Sequence, residues 1–274
     1  MRARLFIFAS LVACGGTENR DGPTPDPPKF EGDCPTFVSG ENTISSSGED
    51  RRFLARVPQT PDGAPVIFTW HWLGGEPDQA IDWTGLTGIS ATDNVWVISP
   101  FTAAGSGAMW DQSAPAADNV DIRLFDDVLA CLTSEHDVDL DRVWVTGHSM
   151  GALFISELVQ HRAGHIAAFA PLSGGLIGDY DTPERALPGM LVWGGDSDVC
   201  CGGFDFADRT RQLSNGLRND GSFIVHCEGD FGHQLPPMPD MVWPFLRDHV
   251  RGEPSPYADG LPANTFPDWC TIAE

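Results

Sequence analysis

The sequence predicts an α/β fold, with a mostly parallel central sheet and helices on both faces. Two observations carry that expectation. Short, continuously apolar runs bounded by turn residues recur from residue 65 onward, and stretches with helical spacing separate them. A strand that is apolar on both sides is buried on both faces, as in a parallel sheet covered by helices.

Pro65–Trp70 is the first such run, and Val95–Ile98, closed by Ser99-Pro100, is the second. Asp118–Leu132 then reads as a helix, because Val120, Leu124, Phe125, Val128, Leu129 and Leu132 recur at helical spacing. Arg142–Thr146 is a short buried strand and Ala152–His161 the helix after it. Ile166–Ala170, Met190–Trp193 and Ser222–Cys227 are three further strands. A helix at Phe206–Arg218 separates the last two, and Met241–Val250 makes a closing helix. Residues 251–274 are rich in proline and read as a surface strap held by Cys270.

The first residues read as an export signal. Arg2 and Arg4 precede the apolar stretch Leu5–Val12. Leu11-Val12-Ala13-Cys14 resembles the lipobox of bacterial lipoproteins, which implies a signal peptide over 1–13 and lipid on the Cys14 sulfur. Plain cleavage after Ala13 would leave a soluble secreted protein instead. Either way the chain is expected to be exported, anchored by lipid to the cell envelope (outer membrane) or secreted. Residues 14–33, with Pro23-Thr24-Pro25-Asp26-Pro27-Pro28, read as a flexible tether, and 34–274 as one catalytic domain.

Composition excludes several functions. Sixteen Lys and Arg stand against 39 Asp and Glu, a net charge of −23, and Lys29 is the one lysine. Such a surface repels phosphate backbones, so nucleic acid is not an expected partner. No internal apolar run approaches the ~20 residues of a membrane span, which leaves a lipid anchor as the only membrane contact. A monomer is expected. Of the seven cysteines, Cys34, Cys131, Cys200, Cys201, Cys227 and Cys270 remain beside Cys14. An even set in an exported chain points to up to three disulfides. They lack the paired spacing of a zinc site, so no metal and no other cofactor is expected. Asp137-Val138-Asp139-Leu140-Asp141 is no calcium loop, since Arg142 stands where glycine is required and His148 where the closing glutamate belongs.

Gly147-His148-Ser149-Met150-Gly151 carries the chemistry. Glycines on both sides of a serine permit the tight strand-to-helix turn that lifts its hydroxyl off a sheet, and strand and helix flank it as this nucleophile elbow requires. That is the site of an α/β-hydrolase. The helix start also places the Met150 N–H where an oxyanion would form. A serine hydroxyl needs a histidine base oriented by a carboxylate, and in this fold they follow in the order Ser, Asp, His. Leu191-Val192-Trp193 runs into a loop with Asp196 and Asp198, and Phe223–Cys227 into one with His233. His233 is the expected base. Asp198 is preferred as the acid, because Asp196 directly follows Gly194-Gly195 and suits a turn cap. His71-Trp72-Leu73-Gly74-Gly75 follows the first core strand and would supply a second oxyanion donor at Leu73, with His71 holding the loop. Trp72, Trp110 and His148 are candidate substrate contacts, with a buried core role the equal alternative for Trp110.

The run Asp139–Gly151, the helix with Asp118, Asp121 and Phe125, and Gly232-His233 resemble the extracellular polyhydroxybutyrate-depolymerase and feruloyl-esterase type of α/β-hydrolase, over Arg52–Val250. The resemblance implies Ser149 as nucleophile, Asp198 as acid, His233 as base, and the His71–Gly74 loop with Met150 as oxyanion hole. That family has His-Gly where this chain has His71-Trp72. Gly-His-Ser-Met-Gly also looks like the elbow of bacterial cutinases. The expectation is an exported serine carboxylic-ester hydrolase acting through an acyl-enzyme, on oligoesters of the polyhydroxyalkanoate kind or on feruloyl or acetyl esters. A serine peptidase of the same fold and a catalytically silent binding protein are the alternatives. Because Asp198 and His233 must meet, their loops must be neighbours, and Cys201 or else Cys200 is expected to pair with Cys227.

Overall fold

The structure is a computed structural model that describes residues 25–112 and 114–274. The expected signal peptide, Cys14 and the first part of the expected tether lie outside the described residues.

The chain forms strands β1 (Gly40–Ser46), β2 (Glu49–Arg56) and β3 (Val66–Trp70), helices α1 (Pro77–Trp83) and α2 (Ile89–Thr92), and strand β4 (Trp96–Pro100). Helix α3 (Val120–His136), strand β5 (Val143–His148), helix α4 (Met150–Arg162) and strands β6 (Ala168–Leu172) and β7 (Gly189–Trp193) follow. The remainder is a hairpin of β8 (Val199–Cys200) and β9 (Phe204–Asp205), helix α5 (Phe206–Asn219), strand β10 (Ile224–Glu228), helix α6 (Val242–Arg247) and strand β11 (Cys270–Ile272). Nine strands make one sheet in the order β1-β2-β4-β3-β5-β6-β7-β10-β11. The six from β4 to β10 are parallel, and the outer pairings β1–β2, β2–β4 and β10–β11 are antiparallel.

Strand alternation divides the core in two. Phe68 and Trp70 of β3, Val143 and Val145 of β5 and Leu191 and Trp193 of β7 pack with α3, α4 and α5. Ile67, Trp144, Met190, Val192 and Val225 point to the other face, with α1 and α6. Both faces are thereby covered, and the expected α/β architecture is the one observed.

Three parts differ from expectation. The β1–β2 hairpin precedes the first core strand. It alternates buried and exposed residues and turns through Ser47 and Gly48, both at positive φ (55° and 79°), as a two-residue hairpin demands. The terminal strap is also more than a strap. Its Cys270–Ile272 segment extends the sheet antiparallel to β10, and Tyr257 and Phe266 are buried in the α1/α6 side of the core. Finally, the tether does not stay free to residue 33. Phe30 packs against the other side of the core, and Cys34 is bonded to Cys131 of α3.

The expected bond from Cys200 or Cys201 to Cys227 is absent. Cys227 pairs with Cys270, and Cys200 with Cys201. Strand register gives the reason: Cys227 and Cys270 are directly opposed on β10 and β11, with Cα atoms 4.0 Å apart. The loops of Asp198 and His233 are neighbours, but Cys227 points away from them into the buried α1/α6 face, whereas Cys200 and Cys201 lie at the surface.

Candidate active site

The elbow is set by backbone contact. A Cβ on Gly151 would lie 2.2 Å from the Trp70 carbonyl oxygen and 2.7 Å from that of His71, and one on Gly147 would lie 2.8 Å from the Trp70 oxygen. Glycine at both positions lets α4 start directly against the end of β3. Ser149 between them sits at φ 54°, ψ −118°, a strained conformation for a residue with a side chain. Its N–H donates to the Leu172 carbonyl at 2.9 Å, which fixes the turn to β6.

Loops from three strand ends meet at Ser149. Its Oγ is 2.8 Å from His233 Nε2, and His233 Nδ1 is 2.7 Å from Asp198 Oδ1. Asp198 is fully buried, and its second oxygen accepts from Ser173 Oγ at 2.7 Å and the Gly194 N–H at 3.0 Å. The two loops are joined by backbone bonds from Gly229 to Trp193 and from Gly232 to Gly194. Asp196 projects into solvent and pairs with Arg211. The structure therefore brings Ser149, His233 and Asp198 together and leaves Asp196 out.

On the other side of Ser149, the β3 loop closes a turn in which the Gly75 N–H donates to the Trp72 carbonyl, with Gly74 at φ 72°. Leu73 lies inside that turn with its side chain exposed. Met150 is the first residue of α4, so its N–H has no acceptor within the helix. His71 is buried, with Nδ1 2.8 Å from the Trp72 carbonyl, and burial lowers its pKa. Trp110 packs beneath this loop and donates its indole N–H to the His71 carbonyl at 2.8 Å. It is nearly fully buried in the core, the second of the two roles expected of it. Trp72 is half-buried, stacks on Trp83 at 3.8 Å between centroids and meets the edge of His148.

His148 stacks against the His233 ring at 5.6 Å. Neither of its nitrogens bonds a carboxylate; its polar contact is with the Gln234 backbone. Burial, aided by the neighbouring His233, pushes its pKa down to about 4. It is therefore neutral at ordinary pH and lines the site without titrating there.

Sequence reasoning missed two contributors. Ser173, at φ 52° after β6, orients Asp198. Phe206, the first residue of α5, stacks on the opposite face of His233 at 4.1 Å. Neither belongs to a motif. A serine directly after a buried strand and an aromatic opening the helix after the Asp loop are the only signals they leave.

A buried carboxylate, an imidazole and a serine hydroxyl in this order can activate Oγ as a nucleophile. No grouping of metal-ligating side chains occurs among the described residues, and no described helix is long and apolar enough to cross a membrane.

No known protein-family profile matches the chain. In sequence it is 25% identical over 153 residues to the bifunctional acetylxylan esterase/xylanase XynS20E of Neocallimastix patriciarum, covering 56% of this chain and 22% of that protein. It is 26% identical over 252 residues to the "Probable feruloyl esterase C" of Aspergillus niger, covering 77% of this chain and 88% of that one. The chain thus spans about a fifth of the first relative and most of the second. Among solved structures, native sOPH superposes with a TM-score of 0.70 at 20% identity, over 89% of this chain and 97% of that one. The chain has the α/β-hydrolase fold, and the relatives it resembles in sequence are named as feruloyl and acetylxylan esterases.

Proposed function

We propose that the protein is a serine carboxylic-ester hydrolase in which Ser149 forms an acyl-enzyme. The hydrogen-bonded chain Ser149–His233–Asp198, at 2.8 and 2.7 Å, carries the reading. His233 takes the Ser149 proton as Oγ attacks the ester carbonyl, then delivers it to the leaving alcohol. Asp198 holds the imidazole with Nδ1–H facing it and stabilises the imidazolium. The N–H groups of Met150 and Leu73 receive the oxyanion. Water, deprotonated by His233, releases the acid.

Feruloyl and acetyl esters are the proposed substrates, supported by the names of the sequence relatives and by the stacked pair Trp72–Trp83 beside His148, with short oligoesters as a further class. No cofactor enters this chemistry. Export with 1–13 as signal, lipid on Cys14 and a monomeric domain from 34 to 274 complete the reading. The three disulfides support an oxidising compartment.

A fluorophosphonate probe should label wild type at Ser149, and Ser149→Ala should lose the label and about 10⁶ in kcat on methyl ferulate or p-nitrophenyl acetate. Retention of activity within about tenfold would overturn the assignment.

A further inference from the structure

The loop that supplies Asp198 does not pass directly into α5. It first makes the β8–β9 hairpin, whose turn places Cys201, Gly202 and Gly203 at φ 54°, 86° and 99°. Cys200 and Cys201, adjacent in sequence, are joined by a disulfide. The hairpin therefore presents one small ring of two sulfurs in place of two free side chains. Both of its ends meet the same imidazole. Asp198, just before β8, bonds His233 Nδ1, and Phe206, just after β9, stacks on the ring. The Phe206 N–H donates to the Asp198 carbonyl at 2.9 Å and closes the hairpin at its base.

This hairpin borders an open groove of about 720 Å³. Val199 and Cys200 line it from the hairpin, Asp230, Phe231 and Gln234 from the loop after β10, and His233 lines it too. His233 lies in its lining and Ser149 does not, so the groove adjoins the site on the side of the imidazole. The imidazole that accepts the Ser149 proton must return it to the departing alkoxide, so its neighbourhood is where the alcohol half lies. A groove of this size accommodates a group far larger than methanol.

We propose that the disulfide-closed hairpin Val199–Asp205 is the wall of a leaving-group subsite, which selects esters of bulky, uncharged alcohols. The inference rests on the ester-hydrolase reading of Ser149. The disulfide removes rotational freedom from the wall, so contact with the alcohol half orders little that is not already ordered. The carboxylate of Asp230 at the groove disfavours an anionic alcohol.

The test compares benzyl and methyl esters of one short-chain acid, with acylation and deacylation measured separately. Both esters give the same acyl-enzyme, so deacylation is blind to the alcohol. The variants are Cys200→Ser/Cys201→Ser, and Val199→Ser, which changes an exposed side chain and leaves the disulfide in place. The benzyl-over-methyl ratio of kcat/KM should fall about tenfold in each, the low end of discrimination by an apolar contact, with deacylation close to wild type. An unchanged ratio in Val199→Ser overturns the subsite even if the double variant does not fold. Equal losses for both esters together with slowed deacylation overturn it differently, by showing that the hairpin only positions His233. Absence of labelling and of turnover on either ester in wild type removes the ester-hydrolase reading itself.

Discussion

His148 and His233 lie ring against ring, 5.6 Å apart beside the same serine, yet their surroundings give them opposite chemistry. His148 belongs to the inner wall, where α4 starts against the carbonyls of Trp70 and His71. It is buried, without a hydrogen-bonded carboxylate, and held neutral. His233 belongs to the outer wall, on the loop after β10. It is bonded at both nitrogens, to Ser149 and Asp198, and capped by Phe206. Proximity in sequence would favour His148, the residue next to Ser149. What distinguishes His233, the proposed base, is a carboxylate partner, which the outer wall provides.

Asp198→Asn attacks that distinction most directly. It leaves His233 in place but favours the wrong tautomer, and kcat should fall about 10⁴-fold. Asp196→Asn, two residues away and solvent-exposed, should change kcat little. Steady-state kinetics on one ester checks both, and a reversed order would move the acid to Asp196.

The support beneath the outer wall gives the next effect. The Cys227–Cys270 bond ties β10, which leads to His233, to the terminal strand, and it spans 43 residues of sequence. Cys227→Ser/Cys270→Ser should cost about 4 kcal/mol by the loop-entropy relation, read in denaturant unfolding. The loss should appear in stability rather than kcat, because the bond lies on the face of the sheet away from the site.

The inner wall should yield to the smallest side chain. Gly151→Ala puts a methyl group 2.2 Å from the Trp70 carbonyl oxygen, so backbone must shift to admit it. A loss of about 3 kcal/mol or more is expected, and a variant of wild-type midpoint in urea would show that the elbow can relax.

The smallest effect belongs to His148 and depends on pH. Its folded pKa lies near 4, below the ordinary 6.5, so the unfolded chain binds the proton more readily between those values. Its neutral burial therefore contributes fully above about pH 6.5 and is lost progressively as pH falls toward 4. Between pH 6.5 and 5 wild type should lose about 2 kcal/mol more than His148→Phe. His71, His165, His226 and His249 are shifted down by burial too, and their contributions should remain in both proteins. Equal pH slopes would mean that His148 is hydrated in solution.

The six parallel strands, the elbow glycines and the order Ser149, Asp198, His233 were legible in the sequence because each depends on local pattern. Burial on both faces makes a strand continuously apolar, a tight turn requires glycine, and each loop follows its own strand. The hairpin Gly40–Arg56 escaped notice because one of its faces is polar, which left no apolar run. Strand β11 escaped because three residues carry no period. Tertiary structure alone decided the disulfides, the surroundings of the two histidines and the places of Ser173, Phe206 and Trp110. Each of these depends on which segments from distant parts of the chain become neighbours. Cys227 faces Cys270 through the register of two strands, and a side chain's partner in space is set by that register, not by its own residue type.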